Sequence, residues 1–281
     1  QILPDQEGAG QSFYIMIPAI HYYGQAIPKG GSQELPNAMA RFVESKGGVV
    51  KLESPIAGFE IEDGRATGVK LESGEVIKAK KAVVSALEPK QTFLKFVGED
   101  RLDPNFSRMV KSFSFGKVSI CRAQLALSEE PKFTNGVDMS ACHFHRIVDS
   151  MEQMINFYAE LAIGKPPSDP FLWSACWTKM DPGRAPEGNH TLIVDTYVSN
   201  WLADGSTWDE IGEDYAKYVL IPKLQQYAPN INDDTILGMY VQHRHTLEDA
   251  NPSFVDGTTN GGERIAPPLG SFRPFPGYAH Y

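Results

Sequence analysis

Pro28-Lys29-Gly30-Gly31-Ser32 opens the stretch that decides the fold, which runs to Val83-Val84-Ser85-Ala86. Ser32 is placed to cap a helix, because a side-chain oxygen just before the first turn can accept one of the backbone N–H groups left over there. Leu35, Met39, Phe42 and Val43 then fall at i, i+4, i+7 and i+8, giving one apolar stripe with Arg41, Glu44 and Lys46 elsewhere. Gly47-Gly48 ends the helix. Val49-Val50-Lys51-Leu52 reads as a short strand, and in the next segment Ala57, Phe59 and Ile61 alternate with Gly58, Glu60 and Glu62. Asp63-Gly64 is a hairpin signal before Thr67 to Leu71, Glu72-Ser73-Gly74 turns the chain into Val76-Ile77, and Ala82-Val83-Val84 reads as a buried strand.

Working outward, Asp103-Pro104 predicts a turn and Lys117 to Leu127 a strand. Met151, Met154, Ile155, Tyr158, Leu161 and Ala162 predict one face of a helix that Gly164-Lys165-Pro166-Pro167 breaks. Strands follow over 171–178 and 191–198. Thr207-Trp208-Asp209-Glu210 is a capping box opening a helix with a stripe of Ile211, Tyr215, Tyr218 and Val219. A last strand is read over Ile236 to His245, and the Pro- and Gly-rich end as loop. Helices and strands in blocks joined by tight turns predict an α+β fold, a mixed or antiparallel sheet with covering helices.

With 26 basic against 35 acidic side chains, the formal net charge of −9 repels phosphate polymers, so nucleic acid is excluded as a partner. Three widely spaced cysteines, Cys121, Cys142 and Cys176, argue against a disulfide framework and for a reducing compartment, cytoplasm or an organellar matrix. They read as buried small hydrophobes. No run approaches the length needed to span a bilayer, which leaves a soluble or peripheral chain. Apolar faces without partners would favour a homodimer.

Gly30-Gly31 removes two side chains just before a helix start, where backbone can approach a ligand closely. His143-Phe144-His145 and His243-Arg244-His245 would each, on a strand, put two imidazoles about 6–7 Å apart on one face. No further ligand is spaced to complete a metal site, so neither pair is read as one. Instead His243, Arg244 and His245 are candidates for orienting a polar substrate end. Trp173, Trp177, Trp201 and Trp208, with Tyr197 and Tyr240, are of the kind that lines an apolar pocket, and Tyr240 is taken as a substrate candidate. Neither Gly-x-Ser-x-Gly nor a strand followed by Gly-x-Gly-x-x-Gly occurs, and no side chain stands out as a catalytic acid or base.

The order Gly-Gly loop, helix, Pro55-Ile56, hairpin and Val83-Val84-Ser85-Ala86 resembles the FAD-dependent phytoene desaturase-like and flavin amine oxidase families, including the pyridine nucleotide-disulfide oxidoreductase domain-containing type. The resemblance implies that Gly30, Gly31, Ser32 and Gln33 lie near the flavin ring and substrate cavity. It places Pro55 and Ile56 against adenine and Ser85 and Ala86 against the dinucleotide. It divides the chain into residues 1–92, a partial FAD-binding region; 93–260, a substrate-binding domain; and 261–281, a loop or disordered tail. It implies a substrate-binding portion of an FAD-dependent oxidoreductase, taking hydride from an apolar isoprenoid-like or an amine substrate. The phosphate-binding Rossmann unit and the carboxyl-terminal flavin-closing segment of those families have no counterpart here, so the chain is expected to be a fragment, inactive alone, that does not retain FAD. A lipid-binding or protein-interaction module is the alternative.

Overall fold

The computed structural model describes residues 13–24, 26–134, 144–259 and 262. His143, Cys142 and the expected loop over the last twenty residues lie outside the described residues, apart from Gly262. The rest falls into two compact units, one of 13–24 with Leu35–Ser114 and Gly262, the other of Ala26–Glu34 with the described residues of Phe115–Asn260.

The first unit carries α1 (Phe13–Tyr23), most of α2 (Glu34–Ser45) and a three-stranded meander of β1 (Ile56–Glu62), β2 (Arg65–Leu71) and β3 (Val76–Lys78). The hairpin turns where the sequence placed it: Asp63 and Gly64 both take left-handed φ, 51° and 74°, so the two-residue turn matches the twist of its strands. Glu62 pairs with Arg65 across it, and Phe59 with Val69 further along. A wide-turned helix over Lys90–Gly98 packs Phe96 against Phe59 at 6.0 Å between rings. Asp103-Pro104 proves to be a helix start rather than a plain turn. Asp103 accepts the N–H groups of Asn105 and Phe106 at 2.9 and 3.1 Å, and α3 (Pro104–Ser112) follows.

Two expected strands of this unit are corrected. Residues 49–52 and 82–84 pair with no described strand, and Val84 is 90% exposed. An apolar run becomes a strand only where a neighbour supplies the hydrogen-bond ladder. The α2 stripe forms as read, but its Leu35, Met39 and Phe42 stay exposed and the helix has no buried residue.

The second unit is a five-stranded antiparallel sheet in the order β5-β6-β7-β4-β8, made of β4 (Val118–Leu127), β5 (Phe144–Ile147), β6 (Leu172–Ala175), β7 (His190–Ser199) and β8 (Ile236–Gln242). The ten-residue strands β4 and β7 pair from Val118↔Ser199 to Leu127↔His190 and form its centre. Alternation sends Ala123, Leu125, Leu192, Val194 and Val241 to one face. There they meet Trp208 and Tyr215 of α5 (Trp208–Tyr215) and Leu220 and Leu224 around α6 (Ile221–Gln225) in one buried cluster. The capping box is present, with the Thr207 N–H donating to Glu210 Oε2 at 2.7 Å.

In α4 (Met151–Ala162) the buried residues are Gln153, Phe157 and Leu161, while Met151 and Ile155 are exposed, so the predicted face is rotated. Gln153 is the reason a hydrophobic pattern misplaces it. Its amide is buried because it donates to the carbonyls of Asp169 and Pro170, both at 3.3 Å. Nearby, buried Lys223 joins Asp149 and, at 2.6 Å, Asp169.

Cys121 and Cys176 are fully buried, as read. Burial, reinforced by Asp195, pushes the Cys121 thiol up to about 12, and burial raises Cys176 as well. The native protein should therefore leave both unmodified by iodoacetamide at neutral pH. Peptide mass spectrometry checks this, and alkylation of either before unfolding contradicts it.

Among the described residues no helix is long and apolar enough to cross a membrane.

Candidate functional site

The face of the five-stranded sheet opposite α5 and α6 carries the second half of each alternation, including Gln124 and Ala126 of β4, Ile193 of β7 and Tyr240 of β8. A groove of about 550 Å³ lies there, walled also by Trp177, Arg184 and Met239. That volume suits a small organic ligand. The Gln124 amide donates to Gln242 Oε1 at 2.7 Å, fixing its orientation along the floor. One step along the same face, Arg122 donates to Asp195 Oδ2 through Nε at 2.8 Å and Nη2 at 2.5 Å. Burial raises the Asp195 pKa against the pull of Arg122. Further out, Arg146 stacks over Trp173 at 4.3 Å, and Trp173 contacts Tyr197 at 5.8 Å.

The end of the groove at Trp177 and Arg184 is built by two short 3₁₀ turns, Trp177–Lys179 and Pro182–Arg184, between β6 and β7. Arg184 lies 6.0 Å from the Trp177 ring centroid. Its Nε donates to Asp181 Oδ2 at 3.2 Å and its Nη2 to the Pro28 carbonyl at 3.0 Å. Asp181 also accepts the Gly30 N–H at 2.7 Å, a bond spanning 151 positions of sequence. That N–H, then Arg184, holds the Asp181 carboxyl below its ordinary range. The Gly-Gly loop is thus fastened to the rim of the groove by an Asp and an Arg.

Gly30, Gly31, Ser32 and Gln33 accordingly sit together on this loop, with Tyr240 in the groove beyond its Arg184 anchor. The helix begins at Glu34, two residues past Ser32, which is exposed in the preceding turn. The Gly31 N–H is turned inward to the Pro28 carbonyl at 3.2 Å. In the other unit, Pro55 accepts the Glu72 N–H at 2.9 Å and Ile56 opens β1 opposite Leu71. The Ser85 hydroxyl shares a hydrogen bond with Thr92 at 2.8 Å, and Ala86 is exposed.

The reading of His243-Arg244-His245 as a strand is corrected. β8 ends at Gln242, and α7 (Arg244–Ala250) starts at once, because the Thr246 hydroxyl accepts the His243 N–H at 2.8 Å as a reversed cap. His243 is buried against Gly212 of α5 and its Nδ1 lies 3.4 Å from Asp209 without a hydrogen bond, while His245 does bond to Asp209. Burial lowers the His243 pKa, Asp209 opposing. Arg244 donates to the Asn200 carbonyl at 2.7 Å and pairs with Asp256. All three are engaged on the α5 side of the sheet and do not reach the Tyr240 groove. Of the aromatics, Trp177 and Tyr240 line the groove, while Trp208 is buried in the core. Among the described residues no group of three His, Cys, Asp or Glu is placed to hold a metal.

Sequence reasoning missed Asp181, Arg184 and Gln124. Asp181-Pro182-Gly183-Arg184 reads locally as a turn, and nothing within it reports a partner at Gly30.

Comparison with known proteins gives a consistent kinship. Residues 4–239 match the family described as flavin containing amine oxidoreductase. A neurosporene-forming phytoene desaturase of Cereibacter sphaeroides is 28% identical over 227 residues, covering 79% of this chain and 42% of that protein. A chloroplastic prolycopene isomerase of Daucus carota is 25% identical over 183 residues, 64% of this chain and 26% of that protein. The chain thus spans less than half the length of these relatives. Among solved structures, an oxidoreductase from Methanosarcina mazei superposes with a TM-score of 0.56 at 17% identity, over 81% of this chain and 46% of that one, a likeness of fold. With residues 4–239 matched over most of its length, the chain belongs to the flavin containing amine oxidoreductase family.

Proposed function

We propose that this chain supplies the substrate-holding sheet of a flavin-dependent oxidoreductase whose substrate is an extended apolar molecule of the isoprenoid kind. The observation that carries the reading is the groove: Trp177, Ala126, Ile193, Met239 and Tyr240 offer an apolar bed on a rigid antiparallel floor. An amine substrate is the weaker choice, because a cation would want a free carboxylate. Asp181, beside the groove, is committed to Gly30 and Arg184.

The family implies FAD, and the loop at Gly30 tests how it would fit. A Cβ at Gly31 would meet nothing within 4 Å, so the backbone there is open to close approach on that side. Both glycine N–H groups are spent inside the protein, so phosphate oxygens would find no donor from them. The loop therefore fits the edge of a flavin ring rather than its phosphates. Gly31, Ser32 and Gln33 are the residues we assign to that edge. In the other unit, Pro55 and Ile56 are assigned to adenine and Ser85 and Ala86 to the dinucleotide, through backbone, since the Ser85 hydroxyl is occupied. When bound, the flavin supplies the acceptor for a hydride equivalent. The chain's own residues orient the substrate along the sheet and exclude water from it.

A polyene bound in the groove would quench Trp177. Titration of the protein with phytoene or lycopene in mild detergent should lower tryptophan fluorescence, Trp177→Phe should remove most of that change, and Tyr240→Glu should weaken binding on the order of tenfold by placing a charge against apolar ligand. Absence of any quenching would remove the substrate reading. Visible flavin absorbance in the purified full-length gene product separates the oxidoreductase from a lipid-holding module, which would bind the polyene and carry no flavin.

A further inference from the structure

We propose that Arg184 is a specificity determinant of the groove, taking an oxygen acceptor at one end of an otherwise apolar ligand. The inference rests on the substrate reading above and narrows its chemical class. Arginine carries five N–H donors and can shed none of them by deprotonation. Among the described residues two are used, Nε on Asp181 and one N–H of Nη2 on Pro28. The side chain is only 15% exposed and walls the groove, so a ligand lying there shuts the remaining three off from solvent.

A pure hydrocarbon end would leave those donors unmatched. A hydroxyl or carboxylate end would satisfy them in a fixed fork geometry. Asp181 sets the balance between the two. Its carboxylate neutralises much of the guanidinium charge while leaving donors directed elsewhere, a setting suited to neutral oxygen as well as to an anion. The ring of Trp177 beneath the guanidinium keeps it from swinging away. Groove, anchor and Gly-Gly loop then form one connected piece, since the same guanidinium that meets the ligand holds the Pro28 carbonyl.

Three polyenes of equal length separate the possibilities: all-trans-retinoic acid, retinol and the parent hydrocarbon axerophthene, each titrated against tryptophan fluorescence. The acid and the alcohol should bind about ten- to a hundredfold tighter than the hydrocarbon. Arg184→Met should erase that preference, bringing the acid and the alcohol to the variant's own affinity for the hydrocarbon. Asp181→Asn keeps an oxygen to accept the Gly30 N–H but removes the neutralising charge, so it should raise affinity for the acid several-fold and leave the alcohol unchanged. This variant carries the test if Arg184→Met does not fold. Equal binding of all three by the native protein, a preference surviving Arg184→Met, or an acid affinity unmoved by Asp181→Asn overturns the assignment of Arg184 and leaves the apolar groove standing. Failure of all three to bind overturns both.

Discussion

Gly257→Ala is expected to cost about 2–5 kcal/mol of stability, the sum of a left-handed backbone penalty and overpacking. Gly257 has φ +69°, and a Cβ there would stand 2.5 Å from the Arg244 Cα and 2.5 Å from the Ser119 hydroxyl oxygen. Neither neighbour can yield. Ser119 is buried and donates to the Gly257 carbonyl at 2.9 Å, and the Arg244 backbone begins α7. Gly205 is the control. It has φ +84° with nothing within 4 Å, so Gly205→Ala should show only the backbone part, about 1 kcal/mol. Urea midpoints of the two variants measure the difference. Equal losses would mean that the crowding at Gly257 is absent.

Arg122→Met should be nearly as damaging, and its size should depend on pH. Arg122 and Asp195 are directly cross-strand on β4 and β7, and the Asp195 side chain is 10% exposed. Removing the guanidinium strands a buried carboxylate, at a cost of about 2–4 kcal/mol at neutral pH, reduced from the fully buried limit because Arg122 itself reaches solvent. Burial already raises the Asp195 pKa above 3.8, with Arg122 opposing. A carboxyl raised in this way favours the fold when protonated. Its stabilising share is complete below the unfolded pKa and is lost as pH climbs through the folded one. Without Arg122 the folded pKa moves higher still. The deficit of the variant relative to the native protein should therefore shrink on acidification from neutral pH, and urea titrations at several pH values read this directly. A deficit that grows in acid would reverse the assigned sign.

Local signals carried much of this fold. Asp63-Gly64, Thr207 with Glu210, and the runs that became β4 and β7 each state their structure within a few residues. The reading failed where the deciding partner is distant. Residues 82–84 are apolar enough for a strand but have no ladder to join, and α4 turns Gln153 inward for two carbonyls more than fifteen positions away. His243 to His245 read as the end of the strand from Ile236, the next turn signal being Asn251-Pro252, yet the Thr246 hydroxyl converts the next turn to helix. At the site, Gly30, Gly31 and Tyr240 were legible as a glycine pair and an aromatic. Asp181 and Arg184 were not, because their meaning lies in carbonyl and amide groups of a loop far back in the chain.

The Gly30 to Asp181 bond also bears on the order in which the protein can be made. A ribosome releases the Pro28 loop long before Asp181 exists to receive it, and the residues that build the other unit, Leu35–Ser114, emerge in between. Closing so long a loop carries an entropic toll that only the completed sheet can offset. The glycine loop should consequently be among the last pieces to settle, so a chain stalled anywhere before the Pro182 turn would display it unfastened and open to proteases.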